Sequence, residues 1–226
     1  MTNGRSQSEP RLVAITGPSC GGKSWLVAQL LGRLGKEATA LSLDDFYLDL
    51  SHLTPGRRAR VNFDHPRAID WPLFRRVLAR CQVGTAPSRI PVYDFTHHIR
   101  LNRLRCWRPK PIVLLEGLWL LRQPDVRRLF SLSIYIRCGD GLARQRRLER
   151  DVKERGRTVE AVRSQFDGRV SPMCRRFVSP QERWADVVIE APIRAGVVDQ
   201  LTVRIRQLTP AGGLAPGNDT NPTTAL

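Results

Sequence analysis

Gly17-Pro18-Ser19-Cys20-Gly21-Gly22-Lys23-Ser24 fits the spacing G-x-x-x-x-G-K-[ST] in full. In that pattern, glycines allow a tight turn whose backbone N–H groups surround phosphate oxygens. The helix start that follows adds the positive end of its dipole. Lys23 is placed to reach β- and γ-phosphates, and the Ser24 hydroxyl to ligate Mg²⁺. Two carboxylates, Asp44 and Glu116, close short apolar runs and suit phosphoryl transfer. One can accept the proton of an attacking hydroxyl, and the other can hold the metal directly or through water. Between Arg144 and Arg157 stand six arginines: Arg144, Arg146, Arg147, Arg150, Arg155 and Arg157. Glu149, Asp151 and Glu154 could pair with them on a solvated helix face. Six arginines exceed what three acids can pair with, which favours a mobile lid over a transferring phosphate.

These groups need elements to hold them. Leu12 to Thr16 reads as a buried strand leading into the glycines, and Trp25 to Leu34 as the helix after them. Ala40 to Leu43, Arg89 to Phe95, Pro111 to Leu115, Leu132 to Ile136 and Asp186 to Ile189 read as further strands. Trp71 to Cys81, Leu142 to Glu154, Thr158 to Gly168 and Val197 to Leu208 read as helices. Uninterrupted apolar strands alternating with helices indicate the α/β class, a parallel sheet covered on both faces. Ligands of such sheets bind beyond the carboxyl ends of the strands, where Asp44 and Glu116 fall. Residues 11–208 are expected to form one domain, with its lid at about 140–157. Residues 1–10 and 209–226 are expected to be disordered, the latter for its Pro, Gly, Thr and Asn content.

Composition narrows the class. The chain has 226 residues, 41% of them hydrophobic and 26% charged, which excludes global disorder. No apolar run is long enough to span a bilayer, and Met1 to Pro10 lacks the apolar stretch of a secretory signal. Five scattered cysteines without a CxxC argue against a disulfide framework or structural zinc, so a reduced, cytoplasmic location is expected. The net charge of +16 invites a nucleic-acid reading. Its source is 33 arginines and only four lysines, spread along the chain without a basic tail or interleaved aromatics. Small anionic ligands therefore fit better than polynucleotides.

Six further segments follow the glycine loop in order: Ser42-Leu43-Asp44-Asp45-Phe46-Tyr47, Asn62-Phe63-Asp64-His65-Pro66, Pro91-Val92-Tyr93-Asp94-Phe95-Thr96-His97-His98, Leu115-Glu116-Gly117, Arg150-Asp151-Val152-Lys153-Glu154-Arg155-Gly156-Arg157 and Ala185-Asp186-Val187-Val188-Ile189. Together they resemble uridine (uridine–cytidine) kinases, within the phosphoribulokinase/uridine kinase group of P-loop kinases. The resemblance runs from about Leu12 to Ile189. It implies a P-loop NTPase-type three-layer fold: a mostly parallel five-stranded sheet, helices on both sides, a β-hairpin over the nucleoside and an arginine lid.

The resemblance also implies roles. Asp44 becomes the base for the nucleoside 5′-hydroxyl and Lys23 its catalytic partner at the phosphates. Ser24, Asp44 and Glu116 fall at magnesium positions. Asp64 matches the carboxylate that holds the ribose hydroxyls, helped by Arg147 and Gln165. Tyr93 and His98 match the readers of the pyrimidine edge, with Phe63 and Phe95 packing on the base. Arg150, Arg155 and Arg157 match the lid residues at the phosphates of ATP or another triphosphate. The implied activity is phosphorylation of uridine and cytidine to monophosphates in pyrimidine salvage, with a homo-oligomer left open. Acceptors of the same kinase group, such as pantothenate, ribulose phosphate or nicotinamide riboside, are the alternatives. Three positions depart from the family pattern: Asp45 for a serine or threonine, Ile99 for a small polar residue, and Ala143 for an arginine. Asp45 adds a negative charge near the phosphates.

Overall fold

A computed structural model describes residues 9–84 and 86–208 and the backbone of 224–225. In chain order its elements are β1 (Arg11–Thr16), α1 (Lys23–Leu34), β2 (Ala38–Ser42), α2 (Pro55–Ala59), α3 (Trp71–Gln82), β3 (Ser88–Asp94), β4 (Ile99–Trp107) and β5 (Ile112–Gly117), followed by α4 (Pro124–Arg127), β6 (Leu132–Arg137), α5 (Asp140–Arg155), α6 (Val159–Gln165), α7 (Ser171–Met173), β7 (Val187–Glu190), α8 (Ala195–Gln207) and β8 (Thr224–Ala225).

The main sheet has the order β2-β5-β1-β6-β7-β8 and is parallel throughout. Five strands are those expected, and the two-residue β8 extends the edge beside β7. The rest of the tail expected to be disordered, and residues 1–8, lie outside the described residues. The strands carry apolar residues on both faces because both faces are covered. Val13, Ile15, Ile112, Leu114 and Ile134 meet α1 and α8 through Leu26, Leu30, Leu201 and Ile205. Leu12, Ala14, Leu41, Val113 and Leu115 meet α3 through Phe74 and Leu78, with the fully buried Trp119 in the same cluster. This three-layer α/β sandwich is the architecture anticipated from the alternation of runs.

β3 and β4 form a separate antiparallel hairpin, with Ser88 opposite Trp107 and Asp94 opposite Ile99. Most of β4 is exposed or half-buried, so it has no apolar run to mark it. Trp107 anchors its end, donating its indole N–H to the Ala40 carbonyl at 2.8 Å. Helix α3 starts under the Asp70 cap, whose carboxylate accepts from the Leu73 N–H at 2.9 Å and also pairs with Arg100 of β4 at 3.1 Å. The hairpin is thus tied to the sheet at one end and to the α3 start at the other. The expected helix from Thr158 is longer and less regular than its pattern: α6 passes into two π-helical turns, Phe166–Val170 and Cys174–Val178.

Candidate active site

The chain leaves β1 at Thr16 and must turn sharply to start α1. Gly17 makes this possible with φ of 146°, and a Cβ there would sit 2.5 Å from the Ile136 carbonyl oxygen. Gly22 follows at φ of 103° and caps α1, so the loop amides and the helix N-terminus share one concavity. Lys23 folds over the loop and donates to the carbonyls of Gly17 at 3.1 Å and Pro18 at 2.7 Å. Burial lowers its pKa, opposed by the nearby charges of Glu116 and Asp44.

β2 and β5 are register neighbours, with Ser42 opposite Glu116. That pairing brings the two carboxylates to one sheet edge. Gly117 lets the chain after β2 close in, since a Cβ there would lie 2.5 Å from Leu43 Cβ. Asp44 is set by its own N–H, which donates to the Ser42 hydroxyl at 3.2 Å. Its pKa is pushed up to about 6, mainly by burial and further by Glu116 and Asp45, against the pull of Lys23 and Arg150. Glu116 accepts from the Ser24 hydroxyl at 2.7 Å. Ser24, Asp44 and Glu116 thus present hard oxygen donors beside the phosphate loop, a set that fits Mg²⁺, which is held by one or two carboxylates and substrate phosphates. Asp45 points elsewhere. Its carboxylate pairs with Arg105 of β4 at 2.7 Å, which offsets the charge that its place in the sequence had put near the phosphates.

One cavity of about 980 Å³ runs from the loop to the hairpin. It is lined by Ser19 through Ser24, Asp44 and Glu116, and by Phe63, Asp64, Tyr93, Phe95, His98, Arg147, Arg150, Arg155, Arg157 and Gln165 of the expected acceptor and lid residues, but not by Arg144. Gly17 and Pro18, also expected at the phosphates, do not line it; their carbonyls hold Lys23. At the hairpin end His98 occupies the left-handed region, φ of 55°, and stacks on Phe63 with centroids 4.1 Å apart and planes 14° apart. One face of Phe63 is therefore taken by His98. Burial lowers the His98 pKa, helped by Arg157, Arg155 and Arg58, which favours the neutral imidazole. The Tyr93 hydroxyl is buried and has no hydrogen-bond partner among the described residues. Phe95 is half exposed and meets Tyr93 edge-on at 5.1 Å. Asp64 has a raised pKa through burial, opposed by Arg147, Arg169 and Arg157.

The lid has a centre that the arginine count did not reveal. Asp151 is completely buried and pairs with Arg147, Arg150, Arg155 and Arg157 at 2.9–3.5 Å. Arg147, 6% exposed, also donates to the Ser19 hydroxyl at 3.2 Å and to Gln165 at 3.3 Å. Arg146 donates to the Cys20 carbonyl at 3.3 Å, and Arg144 pairs with Asp167 away from the cavity. Ala143, in place of a family arginine, packs in a small buried cluster with Cys138, Phe166 and Val170. Three other cavity residues had no site role from the sequence. Tyr47 donates to the Phe63 carbonyl at 3.1 Å and meets Tyr93 at 5.3 Å. Arg58 and Arg169 stand in polar stretches without periodicity.

The sequence profile of the Phosphoribulokinase / Uridine kinase family matches residues 12–196. The chain belongs to that family. Among its relatives, the uridine kinase of Chloroflexus aggregans (strain MD-66 / DSM 9485) is 36% identical over 201 residues, 88% of this chain and 96% of that protein. The uridine kinase of Lactobacillus helveticus (strain DPC 4571) is 32% identical over 203 residues, again 88% and 96%. Solved structures of similar fold include phosphoribulokinase from Rhodobacter spheroides, TM-score 0.60 at 19% identity over 80% of this chain and 70% of that one. D-glycerate 3-kinase from Cryptococcus neoformans gives a TM-score of 0.57 at 20% identity, over 76% and 80%. Those two likenesses concern the fold alone. Family membership makes the chain an enzyme of the P-loop kinase type, and no described helix is long and apolar enough to cross a membrane.

Proposed function

We propose that the enzyme transfers the terminal phosphoryl group of ATP to the 5′-hydroxyl of a pyrimidine ribonucleoside, uridine and also cytidine. The observation that carries this reading is one cavity with a phosphate loop and Asp44 at one end and Asp64, Tyr93 and His98 at the other. Relatives named uridine kinase, matching nearly their whole length, support it.

Asp64 accepts from the ribose hydroxyls, steadied by Arg147 and Gln165. Tyr93 and His98 face the edge of the base, and Phe95 covers its plane. Held so, the 5′-hydroxyl approaches Asp44, which takes its proton as the new O–P bond forms and the bond from the γ-phosphorus to the bridging oxygen breaks, releasing ADP. Lys23 and the loop amides hold the β- and γ-phosphates in line for attack. Ser24 and Glu116, with Asp44 beside them, would hold Mg²⁺, which would supply charge neutralisation at the phosphates. Arg150, Arg155 and Arg157 meet the charge that builds on the leaving side.

A coupled ADP-release assay over uridine, cytidine, pantothenate and ribulose phosphate, with ATP and GTP as donors, tests the assignment. Uridine and cytidine should give the highest kcat/KM. Turnover with pantothenate or a sugar phosphate and none with either nucleoside would replace the acceptor while leaving the kinase chemistry in place.

A further inference from the structure

Resting on the nucleoside reading above, we infer that Arg58 is a specificity-determining residue of the acceptor site, donating to the base and favouring a carbonyl at its variable edge. Arg58 is carried by α2, outside the main sheet, and reaches across to the hairpin turn. There its Nη1 donates to the His97 carbonyl at 3.0 Å, one residue before His98. Its Nε is buried and has no acceptor among the described residues. The Tyr93 hydroxyl lines the same cavity and is also buried without a partner. A buried charged donor left unpaired is costly, and a ligand carbonyl at this end would satisfy it.

The chemistry of the neighbours makes this donor decisive. A phenol hydroxyl both donates and accepts, and a neutral imidazole offers one nitrogen of each kind. Tyr93 and His98 can therefore meet either base by rotating a proton or changing tautomer. Arginine has five donors and no acceptor. Uracil presents a carbonyl at position 4, which accepts from it, and cytosine presents an amine there, which cannot. Arg58 removes the ambiguity that its two neighbours leave.

The test is steady-state kinetics on uridine, cytidine and 2′-deoxyuridine for the wild type, Arg58→Met and Arg58→Lys. Methionine keeps an apolar stem of similar length and removes every donor. It should lower kcat/KM for uridine by about tenfold or more, the size of one charged hydrogen bond, with a smaller change for cytidine. 2′-Deoxyuridine should fall in step with uridine, because the ribose contacts are untouched. Lysine, still donor-only, should recover part of the uridine preference. Binding of a non-hydrolysable ATP analogue, followed by thermal shift, shows that each variant is folded. Equal losses for uridine and cytidine would reduce Arg58 to a clasp on the hairpin, and no loss would remove it from the site. Either result overturns the inference. A wild-type enzyme inactive on both nucleosides would instead overturn the acceptor reading beneath it.

Discussion

Burial pushes the Asp44 carboxyl up to about 6 although Lys23 pulls the other way, so the ionised form needed for proton acceptance is held at a cost to the fold. The folded-state value lies above the ordinary 3.8, and the folded chain therefore binds the extra proton between roughly pH 4 and pH 6. Stability contributed here falls as pH rises through that window and stays low above it. Asp44→Asn keeps the shape and cannot ionise. In metal-free protein at pH 7.5 it should be more stable than the wild type, by at most about 3 kcal/mol. That advantage should fade as the pH is lowered to about 4, which urea unfolding at several pH values would show. The same variant should lose about 10²–10⁴ in kcat, since its amide cannot accept the hydroxyl proton. A variant retaining more than about a tenth of wild-type kcat would remove Asp44 from the role of base.

At the level of elements, α5 and its turn act as one unit around Asp151. Gly156 ends the helix in the left-handed region, φ of 62°, and the chain reverses so that the Arg157 N–H returns to the Asp151 carbonyl at 3.1 Å. One buried carboxylate can then hold four arginines from both sides of the turn. Asp151→Asn preserves volume and leaves Arg147 buried without its counter-ion. Loss of one partner from a buried pair typically costs about 3–5 kcal/mol. The variant should unfold at lower denaturant and show a raised KM for ATP, because the lid arginines lose their common anchor. Unchanged KM with lowered stability would make Asp151 a purely structural centre. This is also where the sequence stops being legible. The phosphate loop is readable because backbone geometry fixes its spacing, and Asp44 and Glu116 because strand ends in parallel sheets converge. Glu149, Asp151 and Glu154 look equivalent at helical spacing, and only packing shows that Asp151 alone is fully buried. β4 hides for the opposite reason: it is mostly outside the core, so no apolar alternation marks it. Arg58 sits on the five-residue α2 and Tyr47 just beyond the turn after β2, in stretches too short for a period to show.

Over the whole molecule, the net charge of +16 is unevenly used. Away from the cavity, several arginines have acidic or aromatic partners: Arg33 with Asp199, Arg75 with Asp125, Arg137 with Glu182 and Glu190, and Arg127 and Arg183 over the Trp184 ring. Guanidinium groups suit this work, since they fork onto carboxylates and stack on rings. Around the cavity the balance shifts, with eight lysine and arginine side chains against three carboxylates. Such a cleft focuses positive potential on an anionic ligand and speeds its arrival. A neutral nucleoside gains nothing from that field. kcat/KM for ATP should therefore fall several-fold as ionic strength rises from about 0.02 M to 0.3 M, where the Debye length contracts below about 10 Å. kcat/KM for uridine at saturating ATP should change little over the same range. Single-stranded RNA added at low salt should not compete with ATP. If RNA bound with an affinity that fell steeply and linearly in log–log salt plots, the surplus charge would belong to a polynucleotide surface rather than to this cleft.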